Sequence, residues 1–181
     1  HPEVLLRRAY RAEIAGDSRT ALAAYQQYFA SPAASEPTDS APRDTDSSTE
    51  FKRRESAYSR AAYGRLLALN RRTADALAQL ERAIALAPDN SEYAILKAEV
   101  LRRAKRDEDA RDYLSEVLYR YEDDPGIEFL LGELRYDARD FPAALGHHTR
   151  VLVHLKRAGS RSVTYRNVSL WRLADMHLQA G

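Results

Sequence analysis

The residue types that could do chemistry are few and scattered in this chain of 181 residues. There is no cysteine, which excludes disulfides, thiolate metal sites and cysteine nucleophiles and leaves the redox compartment undetermined. Of the histidines, His147, His148 and His154 share one stretch of helical periodicity. His147 and His154 lie two turns apart there, roughly 10 Å along the axis, too far for one metal ion to bridge. Zinc sites are marked by clustered ligands, and with none in view no metal is expected. The carboxylates Glu99, Glu133, Asp137 and Asp140 form no pair that stands apart from an ordinary solvated helix face. The glycines are isolated, so there is no loop to cradle a phosphate, and no Ser-His-Asp arrangement is suggested by a local motif. No catalytic, cofactor-binding or metal-ligating residue is therefore assigned. No cofactor is expected, and catalysis by this segment is not expected.

The elements that carry these residues are helical by composition. Alanine, leucine and arginine dominate and β-branched residues are few, which favours helix. The hydrophobic share of 44% and charged share of 30% are those of a folded, water-exposed domain. No apolar run approaches the roughly 20 residues a membrane helix needs. A formal net charge of +1 gives no reason to expect nucleic acid or an anionic membrane as partner. Lysine occurs only at 52, 97, 105 and 156, and the Arg- and Ala-rich composition points to a bacterial, GC-rich source. The chain starts at His1 without an initiator Met or a signal peptide and reads as a piece of something longer. The compartment stays unknown, with a lean to the bacterial cell envelope and the cytoplasm as alternative.

The chain repeats itself. Small residues recur at Gly64, Ala98 and Gly132, 34 apart, and again at Ala76, Ala110 and Ala144 with the same spacing. The offset between the two series is 12. Two antiparallel helices, A and B, approach closely only where a side chain is small, so each unit reads as one A/B pair. A larger residue at Ala76 or Ala110 should cost about 1–3 kcal/mol through overpacking. One pair cannot bury its apolar face alone, so neighbouring units must stack. In the unit 57–90, helix A is expected over Ala57–Leu69 and helix B over Thr73–Leu86, with Thr73 as N-cap and Pro88 as stop. Units 91–124 and 125–158 follow, and Pro142 falls in the first turn of the last B helix, where proline is tolerated. Ala9 and Ala21 fit the same template in a first unit, 2–30. Between them lies an insert, 31–51, with three prolines and five acids against one Arg. Its composition predicts a flexible loop, or an acidic lid that visits a basic rim. Leu173-Ala174 repeats the A-helix signature near the end, so 165–181 reads as helix A of a fifth, incomplete repeat or a cap. Leu170, Trp171, Leu173 and Met176 are apolar for a fully exposed cap, which favours an array cut short.

The period, together with Tyr63-Gly64, Leu67, Ala76, Leu80, Ala83 and Pro88, resembles the tetratricopeptide repeat. The sequence departs from that pattern at Arg60, Ala94 and Glu128, where the family usually has Trp, and at Arg135 in place of Leu67. The resemblance implies an all-α fold, an α–α superhelix of about four repeats plus one extra helix. It implies that His148 is a packed, neutral core histidine, since it stands where the family has an aromatic. It also implies a concave groove lined by A helices. Carried over, the groove would present Leu6, Tyr10 and Glu13; Tyr58, Arg65 and Ala68; Ile95, Glu99 and Arg102; Phe129, Glu133 and Tyr136; Trp171, Asp175 and Leu178. Tyr10 and Phe129 could equally pack between helices, whereas Trp171 and Tyr136 are better placed for exposure. The chaperone-carboxylate clamp of one subclass needs basic or amide groups where this chain has Leu6, Tyr10, Glu92, Leu96 and Leu130, so that function is not supported. The expected function is a non-enzymatic scaffold in a bacterial multiprotein assembly, its partner a protein or peptide of unknown identity bearing some basic residues. The alternatives are a regulatory module of a larger enzyme and a self-association domain.

Overall fold

A computed structural model describes residues 1–31, 47–157 and 162–180. Those residues form helices α1 (Pro2–Ile14), α2 (Ser18–Phe29), α3 (Ser47–Leu69), α4 (Thr73–Leu86), α5 (Ser91–Arg103), α6 (Asp107–Val117), α7 (Pro125–Asp137), α8 (Phe141–Arg157) and α9 (Val163–Ala180). Among the described residues there is no strand. The expected helices Ala57–Leu69 and Thr73–Leu86 correspond to the end of α3 and the whole of α4. Two limits differ. Residues 47–51, assigned to the insert by composition, are the opening turn of α3, and the rest of that insert, 32–46, lies outside the described residues. α9 begins at Val163, earlier than the signature Leu173-Ala174 required. No helix of the described residues is long and apolar enough to cross a membrane.

The chain divides into two compact units, His1–Val100 and Leu101–Gly181. In the first, α1 packs on α2, α3 on α4, and α2 on α3. Ala9, Ala21, Ala57, Ala76 and Ala83 are fully buried where the helices meet, with Tyr25, Leu67 and Leu80 filling the space between. In the second unit α7 packs on α8, and α9 lies against both. Leu114, Ile127, Leu131, Leu134 and Val151 form its centre.

Small residues allow the A and B helices to close up. A methyl group on Gly64 would meet Leu80 Cγ at 3.0 Å and the Ala76 carbonyl oxygen at 3.1 Å. One on Gly132 would meet the His148 ring at 2.9 Å. The contact is therefore with the residue four beyond the early alanine as well as with that alanine's backbone. Leu80, Leu114 and His148 are that residue in successive units, all fully buried, so the histidine stands in a leucine's place.

The A–B turns repeat more faithfully than the helices. Each ends its A helix in a Schellman motif: Gly16 N–H donates to Glu13 O and Asp17 N–H to Ala12 O, at 2.9 and 2.8 Å. The same bonds recur as Arg71 to Ala68 with Arg72 to Leu67, Lys105 to Arg102 with Arg106 to Leu101, and Arg139 to Tyr136 with Asp140 to Arg135. The residue at the bend is left-handed in every case, with φ of 74° at Gly16 and 62°, 63° and 62° at Arg71, Lys105 and Arg139. The following residue caps the B helix. Asp17 and Asp140 accept from the backbone N–H of Thr20 and Ala143. Thr73, expected as the cap of α4, is instead its first helical residue: Arg72 holds the cap position and makes no cap bond. Arg72 and Arg106 reach forward to Asp75 and Asp109, at 2.7 and 2.6 Å.

Candidate interaction surface

Some of the positions expected to face a ligand meet within each unit, and most of their charges are already paired. In the first unit α1 and α3 meet through Tyr10, Glu13, Tyr58 and Arg65. The Glu13 side chain is 9% exposed; it accepts from Tyr25 Oη at 2.5 Å and from the Arg65 guanidinium at 3.0 Å. Tyr10 donates to or accepts from Ser59 Oγ at 2.7 Å, and its ring stands edge-on to Tyr25 and Tyr58. Burial pushes the Tyr10 hydroxyl up to about 12, against the lowering effect of the Ser59 bond. Burial, then the bond to Glu13, raises Tyr25 further. Tyr58 presents its ring to solvent at 52% exposure. Of the neighbouring expected residues, Leu6 is buried, Ala68 and Ile95 are half-buried, and Glu99 is exposed.

In the second unit α7 and α9 meet through Glu133, Tyr136, Trp171 and Asp175, and the residue that joins them is Arg172. Its guanidinium donates twice to Glu133, 2.7 Å from Oε1 and 2.9 Å from Oε2. It lies 3.9 Å from the Tyr136 ring centroid and 5.0 Å from that of Trp171. The bond to Glu133, opposed by burial, holds Arg172 above its usual value. Tyr136 donates its hydroxyl to Asp175, which also accepts from Gln179 at 2.7 Å. Trp171 is 59% exposed, whereas Tyr136, expected to be open as well, is half-buried under Arg172. Phe129 is stacked on Tyr165 at 4.6 Å. Leu178 is exposed. Arg102 pairs with Asp137 at 2.9 Å. Glu133 is thus a buried carboxylate neutralised from the neighbouring A helix, where an exposed groove charge was expected; its 7% exposure leaves little for a ligand to reach.

Two buried polar groups explain the departures from the repeat pattern. Arg60 is 3% exposed, donates to Gln79 Oε1 at 2.7 Å and lies over the Phe29 ring. Glu128, 68 residues later, is 4% exposed and meets His147 Nδ1 at 2.7 Å and Arg150 Nε at 2.8 Å. Gln79 and His147 are also 68 apart. A-helix and B-helix residues have therefore changed together at one place in the repeat. Burial pushes the Glu128 carboxyl up, but the bonds from His147 and Arg150 outweigh it and hold it below its usual value. Arg135, standing where Leu67 does, turns to Asp140 at 3.2 Å.

His148 is fully buried, with Nδ1 3.1 Å from Ser169 Oγ and Nε2 3.6 Å from Glu133 Oε1. Desolvation outweighs the opposing pull of the Glu133 carboxylate and lowers the imidazole below its usual value, so burial keeps the ring neutral near pH 7. Among the described residues no group of three His, Asp or Glu side chains is placed to hold a metal. Arg172, Ser59 and Ser169 escaped the sequence reading. A buried Glu133 demands a cation, but the register alone did not say which helix would supply it.

Comparison with known proteins agrees with this architecture. A family model described as the tetratricopeptide repeat matches residues 67–134. No curated protein matches the chain. Among solved structures, a double mutant of MamA RS-1 matches with a TM-score of 0.66 at 16% identity, covering 89% of this chain and 78% of that one. PilF of Pseudomonas aeruginosa matches with a TM-score of 0.60 at 16% identity, over 98% and 74% of the two chains. YrrB, described as a tetratricopeptide-repeat protein with an unusual peptide-binding site, matches with a TM-score of 0.56 at 14% identity, over 95% and 84%. Helix pairs on a period of 34 and the fold of these neighbours make this chain an all-α helical-repeat protein, and the family match places tetratricopeptide repeats at residues 67–134.

Proposed function

We propose that the chain is a non-enzymatic scaffold that holds a protein or peptide partner on the exposed aromatics of its A helices, within a bacterial multiprotein assembly. One observation carries the reading. Trp171 stays 59% exposed while the guanidinium of Arg172 beneath it is fixed by two bonds to Glu133. A rigid, half-wet aromatic on a locked cation is the kind of anchor that dominates binding energy at protein interfaces. Tyr58 has the same character in the first unit, supported edge-on by Tyr10. The tetratricopeptide architecture supports protein binding in general, and peptide binding is stated for YrrB.

The paired charges decide which variants are informative. Glu133 and Glu13 hold helices together, so changing them tests folding. Tyr58→Ala and Trp171→Ala remove exposed rings and leave the buried contacts in place. The test is capture from a lysate of the source organism, followed by titration of the captured protein against wild type and both variants. Loss of affinity by tenfold or more in either variant, at unchanged helicity, supports the reading. Equal affinity of wild type and both variants for the captured protein refutes it.

A further inference from the structure

The histidine that stands in a leucine's place is linked to the exposed tryptophan through Glu133 and Arg172. His148 has no exposed surface on α8, and its two nitrogens are in different situations. Nδ1 meets Ser169 Oγ of α9 at 3.1 Å. Nε2 has no hydrogen-bond partner among the described residues, although Glu133 Oε1 of α7 lies 3.6 Å away. That same oxygen is held by Arg172 Nε at 2.7 Å, while Arg172 Nη2 holds Oε2 at 2.9 Å. The ring has no room to swing, since a methyl on Gly132 would already stand 2.9 Å from Nε2. The charged groups around it are Glu133 from α7, Arg172 from α9 and His147 beside it on α8. While the ring is neutral, one buried carboxylate is matched by one guanidinium.

We infer that this cluster is an acid-operated latch: protonation of His148 frees Arg172 from Glu133 and removes the cation that backs Trp171. An imidazolium donates from both nitrogens. Nδ1 keeps Ser169, and the acceptor within reach of Nε2 is Glu133 Oε1, so the carboxylate is drawn away from Arg172 Nε. Two cations then share one carboxylate in a buried place, an arrangement that favours the departure of one of them. His148 is enclosed, whereas the Arg172 side chain is 17% exposed and reaches solvent by rotation. Arg172 is therefore the one that leaves. Its guanidinium lies 3.9 Å from the Tyr136 ring centroid and 5.0 Å from that of Trp171, so both rings lose their cation. Burial lowers the imidazole, which puts the step below about pH 6.5, with the latch closed above it and open beneath. That opening weakens partner binding rests on the reading of Trp171 as an anchor. The release of Arg172 does not.

Trp171 is the only tryptophan of the chain, so its fluorescence reads the latch with no partner present. Emission of the whole chain is followed from about pH 8 to about pH 5, with circular dichroism alongside. In parallel, NMR follows the His148 ring and the Arg172 Nε–H, which is held by Glu133 while the latch is closed. The expected result is one step with a midpoint below about pH 6.5, shared by Trp171 emission, the His148 ring and the Arg172 Nε–H, at constant helicity. His148→Leu and His148→Gln should abolish the emission step and keep the Arg172 signal in its closed position throughout. An Arg172 Nε–H that stays unchanged while His148 titrates overturns the inference. So does an emission step that persists in both variants, since another group then drives it. A step that coincides with loss of helicity also overturns it, because protonation would be unfolding the helices and not opening a latch. Affinity for the captured partner should fall by about threefold or more across the same step in wild type and stay constant in His148→Leu. If the latch opens and affinity does not follow, the anchor reading of Trp171 fails and the latch stands.

Discussion

The bends between A and B helices predict a gain in stability from removing side chains. Arg71, Lys105 and Arg139 have φ near +62°, where the Cβ of an L-residue crowds the following carbonyl at about 1–2 kcal/mol. Glycine avoids that cost but gives back about 0.5–1 kcal/mol through greater freedom in the unfolded chain. The net gain is about 0.5–1 kcal/mol for each of Arg71→Gly and Lys105→Gly. Arg139→Gly also removes an exposed guanidinium 5.8 Å from the Phe141 ring, so its gain falls at the lower end. The three lie in separate turns with no shared partner, so the triple variant should be more stable by about 1.5–2.5 kcal/mol. Helical arrays can unfold in steps, so urea titration at constant m-value is the measurement, followed by circular dichroism. The alanine variants Arg71→Ala and Lys105→Ala are the control, because they delete the charge but keep the Cβ. They should be neutral within about 0.5 kcal/mol. Alanine variants that stabilise as much as glycine variants would show that charge repulsion and not backbone geometry sets the effect. A triple glycine variant no more stable than wild type would refute the strain outright.

Three further outcomes follow from the buried contacts. Gly132→Ala should destabilise by about 1–3 kcal/mol in urea titration, because its methyl meets the His148 ring at 2.9 Å, and His148→Ala in the same chain should relieve most of the clash. Glu133→Ala should cost about 2–4 kcal/mol by leaving Arg172, 17% exposed, without its carboxylate; replacing both with Leu and Met should cost less than either single truncation, which a double-mutant cycle measures. His148 is held neutral, its value lowered by burial, so the unfolded chain binds its proton first as pH falls. Wild-type stability should therefore be complete above about pH 6.5 and decline below it, and His148→Leu should flatten the slope of unfolding free energy between about pH 6.5 and 5.

Much of the fold was legible because it rests on spacing. The series Gly64, Ala98, Gly132 and Ala76, Ala110, Ala144 fix the helix pairs, since close approach tolerates only small residues there. The turns were less legible: glycine marks the left-handed bend at Gly16, but Arg71, Lys105 and Arg139 hide it under side chains that usually avoid that geometry. The start of α3 was hidden too, because its first turn reads as polar as the insert before it, and helix propensity is a weak guide at a boundary. The A-helix charges were placed on the right helices and given the wrong neighbours. Periodicity says which side of a helix a residue occupies. Whether Glu13 looks at water or at Arg65 depends on how far apart adjacent A helices stand, which no local pattern encodes.

The matched polar pairs have a consequence for how such an array can grow. Arg60 is read by Gln79, and Glu128 by His147 and Arg150; at the same two places the middle repeat holds Ala94 and Tyr113. A duplication or exchange that set α3 against a copy of α8 would bury a guanidinium beside a histidine and a second arginine. The reciprocal hybrid would set Glu128 against the amide of Gln79, with Arg82 standing where Arg150 does. The first mismatch strands a charge in the core, at a cost of several kcal/mol, and the second exchanges the His147 bond for an amide. The helix pairs are thus keyed to their own partners at this one place in the repeat, most tightly at Arg60, by the same residues that depart from the family pattern.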